Sequence, residues 1–153
     1  MSRARTIVAA LTLILFPVGS LVPASAGNSY AVGQVWEYDA RKEDAGSLLK
    51  IMQIDDLPGI GRIIHICVVG LKLPYSAGPG GVLTEVPEIP MKPAAMDASV
   101  RKLSGRPAAC QRFYDAYAGW RQDYERGQVG TVRIPLKQMM GNIAAQANQS
   151  TTP

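Results

Sequence analysis

His65 and Cys67 stand two residues apart in the run Ile63-Ile64-His65-Ile66-Cys67, and an imidazole beside a thiol is the pairing that activates a cysteine nucleophile. On a strand both side chains leave the same face, but Cα atoms two positions apart are separated by roughly 6.5 to 7 Å with parallel side chains, a poor layout for direct proton transfer. His65 is the only histidine, and Cys67 and Cys110 are the only cysteines. An isolated cysteine pair in an oxidising compartment is expected to close a disulfide, which removes the nucleophile and leaves His65 a hydrogen-bonded structural residue. One histidine and two cysteines lack the clustered spacing that fills a coordination sphere, so no metal or other cofactor is expected.

Carboxylates are the other groups that could do chemistry. Glu37 and Asp39 alternate on one strand face and Asp55 and Asp56 sit beside a turn, so a general acid and base pair is conceivable. An exposed strand face and a turn-favouring acidic pair explain the same residues more simply. His65, Glu37 and Asp39 form the candidate polar site. The Gly78 to Gly81 stretch is not followed by Lys-Ser or Lys-Thr, so it is no phosphate cradle. Tyr75, Ser76, Gly78, Pro79 and Gly80 form a candidate contact loop, with a plain connector as its alternative.

The elements that must position these groups are legible from periodicity. Gln34 to Ala40 alternates as a half-buried strand with Trp36 and Tyr38 inward, and Ser47 to Ile54 forms a second strand with Leu49 and Ile51 opposite Leu48, Met52 and Ile54. Leu57 to Gly61 reverses the chain. Arg62 to Leu71, apolar on both faces, reads as a central strand. Val82 to Val86 adds a short edge strand that Pro87 and Pro90 stop. Pro93 opens a short helix carrying Met96, Val100 and Leu103, ended by Gly105. Pro107 opens a longer one on which Phe113, Tyr117, Trp120 and Tyr124 form one stripe, with Cys110 in its first turn. Such a stripe is core against a sheet or the wall of a ligand groove. Thr131 to Ile134 reads as a last strand, and Pro135 starts a final helix with Leu136, Met139, Met140 and Ile143 on one side. The expected fold is α+β: a small antiparallel sheet of three to five strands, open or barrel-like, with about three helices packed on one face.

The chain has 153 residues. Its first 26 read as an export signal: Arg3 and Arg5, an apolar run from Thr6 to Phe16, then Ala24-Ser25-Ala26 before Gly27. The run is shorter than the roughly 20 apolar residues that span a bilayer, so no stable membrane anchor is expected after cleavage. No cysteine marks a lipoprotein, and Ala4 separates the two arginines, so no twin-Arg signal is present. Residues 27–143 are expected to form one globular domain and 144–153 a disordered tail.

Losing Arg3 and Arg5 lowers the formal charge from +4 to +2. The remaining bases are interleaved with acids, which excludes a nucleic-acid partner. Asn28 to Met91 holds eight acids and five bases, whereas Lys92 to Pro153 holds four and nine. The two halves attract each other, or one faces a charged partner.

Gly33-Gln34-Val35-Trp36-Glu37-Tyr38, Ile63-Ile64-His65-Ile66 and the Tyr117 and Trp120 helix together resemble a family of small bacterial proteins with a Gly-x-Val-Trp-x-Tyr opening. The resemblance implies a bacterial source and brings no activity, cofactor or catalytic residue. Two functions remain as expectations. One is a periplasmic or secreted non-enzymatic protein that binds a protein partner, for example as an immunity or inhibitor protein. The other is a small hydrolase or ligand-binding module with a pocket between sheet and helices near His65.

Overall fold

The computed structural model describes residues 28–74, 81–128 and 130–149. Residues 1–26, expected to be an export signal, and the expected contact loop of Tyr75, Ser76, Gly78, Pro79 and Gly80 lie outside them. Strands β1 (Val35–Tyr38), β2 (Leu48–Leu57), β3 (Gly61–Pro74), β4 (Val82–Met91) and β5 (Val100–Leu103) form one sheet. Its order is β4-β3-β2-β1-β5, and all neighbours run antiparallel. The sheet is open, not a barrel, and β4 and β5 are its edges. Helices α1 (Pro93–Asp97), α2 (Phe113–Glu125) and α3 (Leu136–Gln149) complete an α+β fold.

The helices do not share one face of the sheet. Trp36, Tyr38, Leu49, Ile51, Ile64, Ile66 and Met91 join Met96 of α1 and Leu136, Met140 and Ala144 of α3 in a single buried cluster. The alternate β3 positions Ile63, His65 and Cys67, equally buried, face the other way, and α2 covers them. β3 is apolar on both faces because it is covered on both, the pattern of a central strand. Trp36 and Tyr38 point inward as expected, and each keeps a polar partner. Trp36 Nε1 donates to Gln34 Oε1 at 3.1 Å, and the Tyr38 hydroxyl lies 2.7 Å from Ser47 Oγ.

Five expectations about elements need correction. The helix beginning at Pro93 stops at Asp97, and Val100 and Leu103 belong to β5 instead. The free edge of β1 takes this segment: Asp39 N–H donates to the Ser99 carbonyl and Ser104 N–H to the Val35 carbonyl, both at 2.8 Å. β4 runs through Pro87 and Pro90 to Met91. On an edge strand a proline is harmless where its nitrogen faces away from the sheet. The Pro90 carbonyl, on the same side as that nitrogen, accepts from Val132 N–H at 2.8 Å. That contact belongs to an isolated bridge between Met91 and Val132, which replaces the strand expected over Thr131 to Ile134. Helix α2 starts at Phe113, so Cys110 precedes it. Finally, α3 continues to Gln149, six residues into the stretch expected to be a disordered tail, because buried Ala144 extends the stripe of Leu136 and Met140 by one more turn.

A buried charge fixes the other end of β3. Asp44, in the turn between β1 and β2, is fully buried and accepts from Arg41 Nε at 2.6 Å and from the Lys72 backbone N–H at 2.7 Å. Nearby Gly70 has φ +77°, and a Cβ there would stand 3.3 Å from Ser47 Cα, so only glycine fits. The charge asymmetry of the chain is resolved internally in part. Arg101 and Lys137 pair with Asp39, Lys102 with Glu37, and Arg121 approaches Asp55.

Candidate functional site

His65 is completely buried at the centre of the α2-covered face. Its Nδ1 lies 2.7 Å from Glu88 Oε1 on β4, and its Nε2 lies 3.3 Å from Asp55 Oδ2 on β2. From above, the Trp120 and Tyr117 rings of α2 pack T-shaped on the imidazole, at 73° and 82° to its plane with centroids 4.5 and 5.0 Å away. Asp55 also accepts from the Tyr117 hydroxyl at 2.6 Å and from Gln53 Nε2 at 3.0 Å.

Both carboxylates reach the histidine through irregularities in the sheet. On β2, Ile51 pairs with Ile66 but Gln53 pairs with His65, so Met52 occupies a bulge. Strict alternation would put Asp55 on the side of Leu49 and Ile51, in the apolar core. The bulge turns Gln53 and Asp55 to the His65 face and Ile54 into the core, since one extra residue exchanges the two faces. On β4, Ile89 pairs with Ile66 and Val86 with Val68, so Pro87 and Glu88 stand against the single residue Cys67. This second bulge delivers Glu88.

Helix α2 is held over the site along its whole length. Phe113, Tyr117, Trp120 and Tyr124 stack in succession, with interplanar angles of 16°, 16° and 8°. Phe113 is fully buried and Trp120 nearly so, which makes the stripe a packed layer rather than the wall of a groove. The Tyr124 hydroxyl donates to the Pro58 carbonyl at 3.3 Å. Just before the helix, Cys110 is disulfide-bonded to Cys67 with the Cα atoms 6.2 Å apart, as expected from the sequence.

The electrostatics follow from burial and bonding. Burial opposes ionisation of Asp55, but the hydrogen bonds from Gln53 and Tyr117, with His65 and Arg121 beside it, win and hold its carboxyl below the usual range. Tyr117 is pushed up to about 12, first by burial and then by its bond to Asp55. Asp44 shows the same balance as Asp55: burial opposes ionisation, and Arg41 and the Lys72 N–H outweigh it. A carboxyl depressed in the fold contributes stability that is present above its unfolded value of about 3.9 and lost as the pH falls through the folded value. The urea midpoint is therefore expected to be flat between about pH 5 and about pH 6 and to drop below about pH 4. In Asp55→Asn the acid drop should be smaller.

Tyr117→Phe removes one hydrogen bond to an ionised, largely buried acceptor. It should destabilise the protein by about 2 kcal/mol in urea unfolding, with the ring packing unchanged.

Glu37 and Asp39, the acids expected beside His65, are not its partners. Glu37 Oε2 is 3.6 Å from Lys102 Nζ, and Asp39 lies 2.7 Å from Arg101 and 3.5 Å from Lys137. The partners are Asp55 and Glu88. They approach opposite nitrogens of one ring and so cannot converge on a common ion, and no metal-holding group of three or more His, Cys, Asp or Glu residues occurs among the described residues. What the arrangement can do is bridge charges: one imidazole ties β2, β3 and β4 together under α2. Comparison of the chain with protein-family models, with curated proteins and with solved structures finds no match.

Proposed function

We propose that this protein is exported, loses residues 1–26, and acts outside the cytoplasm as a non-enzymatic protein that binds another protein, in the manner of an immunity or inhibitor protein. The observation that carries this reading is where the reactive groups are spent. The single histidine is sealed between two carboxylates and two aromatic rings. Both thiols are in one disulfide, and Glu37 and Asp39 are engaged by cations. A disulfide fits an oxidising compartment, and no helix among the described residues is long and apolar enough to cross a membrane.

The test is affinity capture with the purified protein in periplasmic extract and culture medium, followed by reconstitution. A single partner that re-forms a stoichiometric complex from purified components is the expected outcome. Captured proteins that fail to re-form a complex would count against it. Mass spectrometry of the native protein should give an N-terminus at Gly27.

A second reading, a ligand-binding module, is favoured by one feature. A cleft of about 240 Å³ opens between the sheet and α1, with Ile54, Ile64 and Pro93 below and Tyr30, Arg62 and Asp97 around it. It lies on the face opposite His65. A small-molecule screen by thermal shift, repeated on Ile64→Trp to fill the cleft, separates this reading from the first.

A further inference from the structure

Two acceptors flank a ring that, when neutral, has a single N–H to give. Glu88 at 2.7 Å from Nδ1 takes that proton in the only tautomer that satisfies the short contact. Nε2 then meets Asp55 with a lone pair. Nε2 makes no hydrogen bond of ordinary geometry, and Asp55 Oδ2 at 3.3 Å is its charged neighbour. A lone pair facing a carboxylate is repulsive whatever the angle. A protonated Nε2 at the same distance is attracted even off the hydrogen-bond axis, because charge attraction is less directional than a hydrogen bond.

β2 contributes Asp55 and Gln53, β4 contributes Glu88, and α2 contributes Tyr117, Trp120 and the Arg121 guanidinium, which is 4.0 Å from Asp55 Oδ2. Among the described residues two acids thus surround the ring, and the Arg121 guanidinium beside them is directed at Asp55. The imidazole is fully buried, with the Tyr117 and Trp120 rings packed on it.

We propose that His65 is held with both ring nitrogens protonated, as a positive bridge between Asp55 and Glu88, and that this second ring proton seats α2 on the sheet. The link to α2 is direct: Asp55 receives both the ring and the Tyr117 hydroxyl. When the proton leaves, Asp55 is repelled from the ring and pulls on the helix through Tyr117. Seating of α2 is then proton-dependent. Stability contributed by that proton is full while the unfolded ring is also protonated, and it is lost as the pH rises and the folded ring gives the proton up.

His65 is the only histidine, so in the nitrogen-15-labelled protein its two ring signals are the only imidazole signals. The expected result at about pH 7 is two proton-bearing nitrogens. One bare nitrogen would overturn the proposal, because the ring would then be neutral. The second readout is the urea midpoint from about pH 6 to about pH 9. It should fall in the wild type and stay level in His65→Gln, and equal slopes in the two would sink the link to α2. Should His65→Gln fail to fold, Trp36→Phe leaves Trp120 as the sole tryptophan, 4.5 Å from the imidazole. Its fluorescence should then change in step with the nitrogen signals, and emission that does not follow them would overturn the link.

Discussion

Replacing Cys67 and Cys110 together by alanine is expected to lower the stability of the fold by about 4 kcal/mol. The estimate rests on loop entropy: the bridge closes a loop of sequence separation 43, and freeing that loop gives the unfolded ensemble back its conformational freedom. Cys67 is fully buried on β3, and alanine there keeps the site apolar, whereas serine would bury an extra hydroxyl. The measurement is urea unfolding of the double variant beside wild type with and without a reducing agent. Reduced wild type and the double variant should share one midpoint, well below that of the oxidised protein. A midpoint unchanged by reduction would show that Phe113 and its neighbours hold α2 without covalent help.

Phe113→Ala carries the second large effect, a loss of about 4 kcal/mol. Phe113 is completely buried and begins the ring stack on α2, 5.6 Å from Tyr117. Alanine leaves a cavity at the end of the helix nearest the disulfide, and the disulfide limits how far the chain can collapse into it. Tyr114, the next residue, is 70% exposed, so Tyr114→Ala should stay within about 0.5 kcal/mol of wild type. The pair is its own control, because both remove one aromatic ring from the first turn of one helix and differ in burial. Combining Phe113→Ala with the cysteine double variant should cost a different amount from the sum of the two, since both act on the same docking of α2.

Much of the architecture was legible because it depends on short-range pattern. Trp36 and Tyr38 alternate, β3 is apolar on both faces, and Phe113, Tyr117, Trp120 and Tyr124 recur at helical spacing. Each signal is a periodicity set by the geometry of one element. The cysteine pairing was equally plain, since two cysteines allow one bridge.

Tertiary structure decided the rest, for reasons that can be named. Met96, Val100 and Leu103 suit a helix, but the unpaired edge of β1 offered backbone hydrogen bonds that a five-residue helix could not match by growing. Pro87 and Pro90 mark the end of an interior strand, and only the place of β4 at the sheet edge makes them tolerable. The composition of His65, Glu37 and Asp39 suggested a site, but the acids that reach the histidine are Asp55 and Glu88, brought there by one bulge in β2 and one in β4. A single added residue exchanges the faces of a strand, and nothing in the local sequence of Met52 or Pro87 announces it. The sequence alone determined which segments are strands and helices over most of the chain and which cysteines pair. Which carboxylates meet the one histidine, and which face each helix covers, depended on register between segments far apart in the chain, and register is settled only when the whole sheet closes its hydrogen bonds.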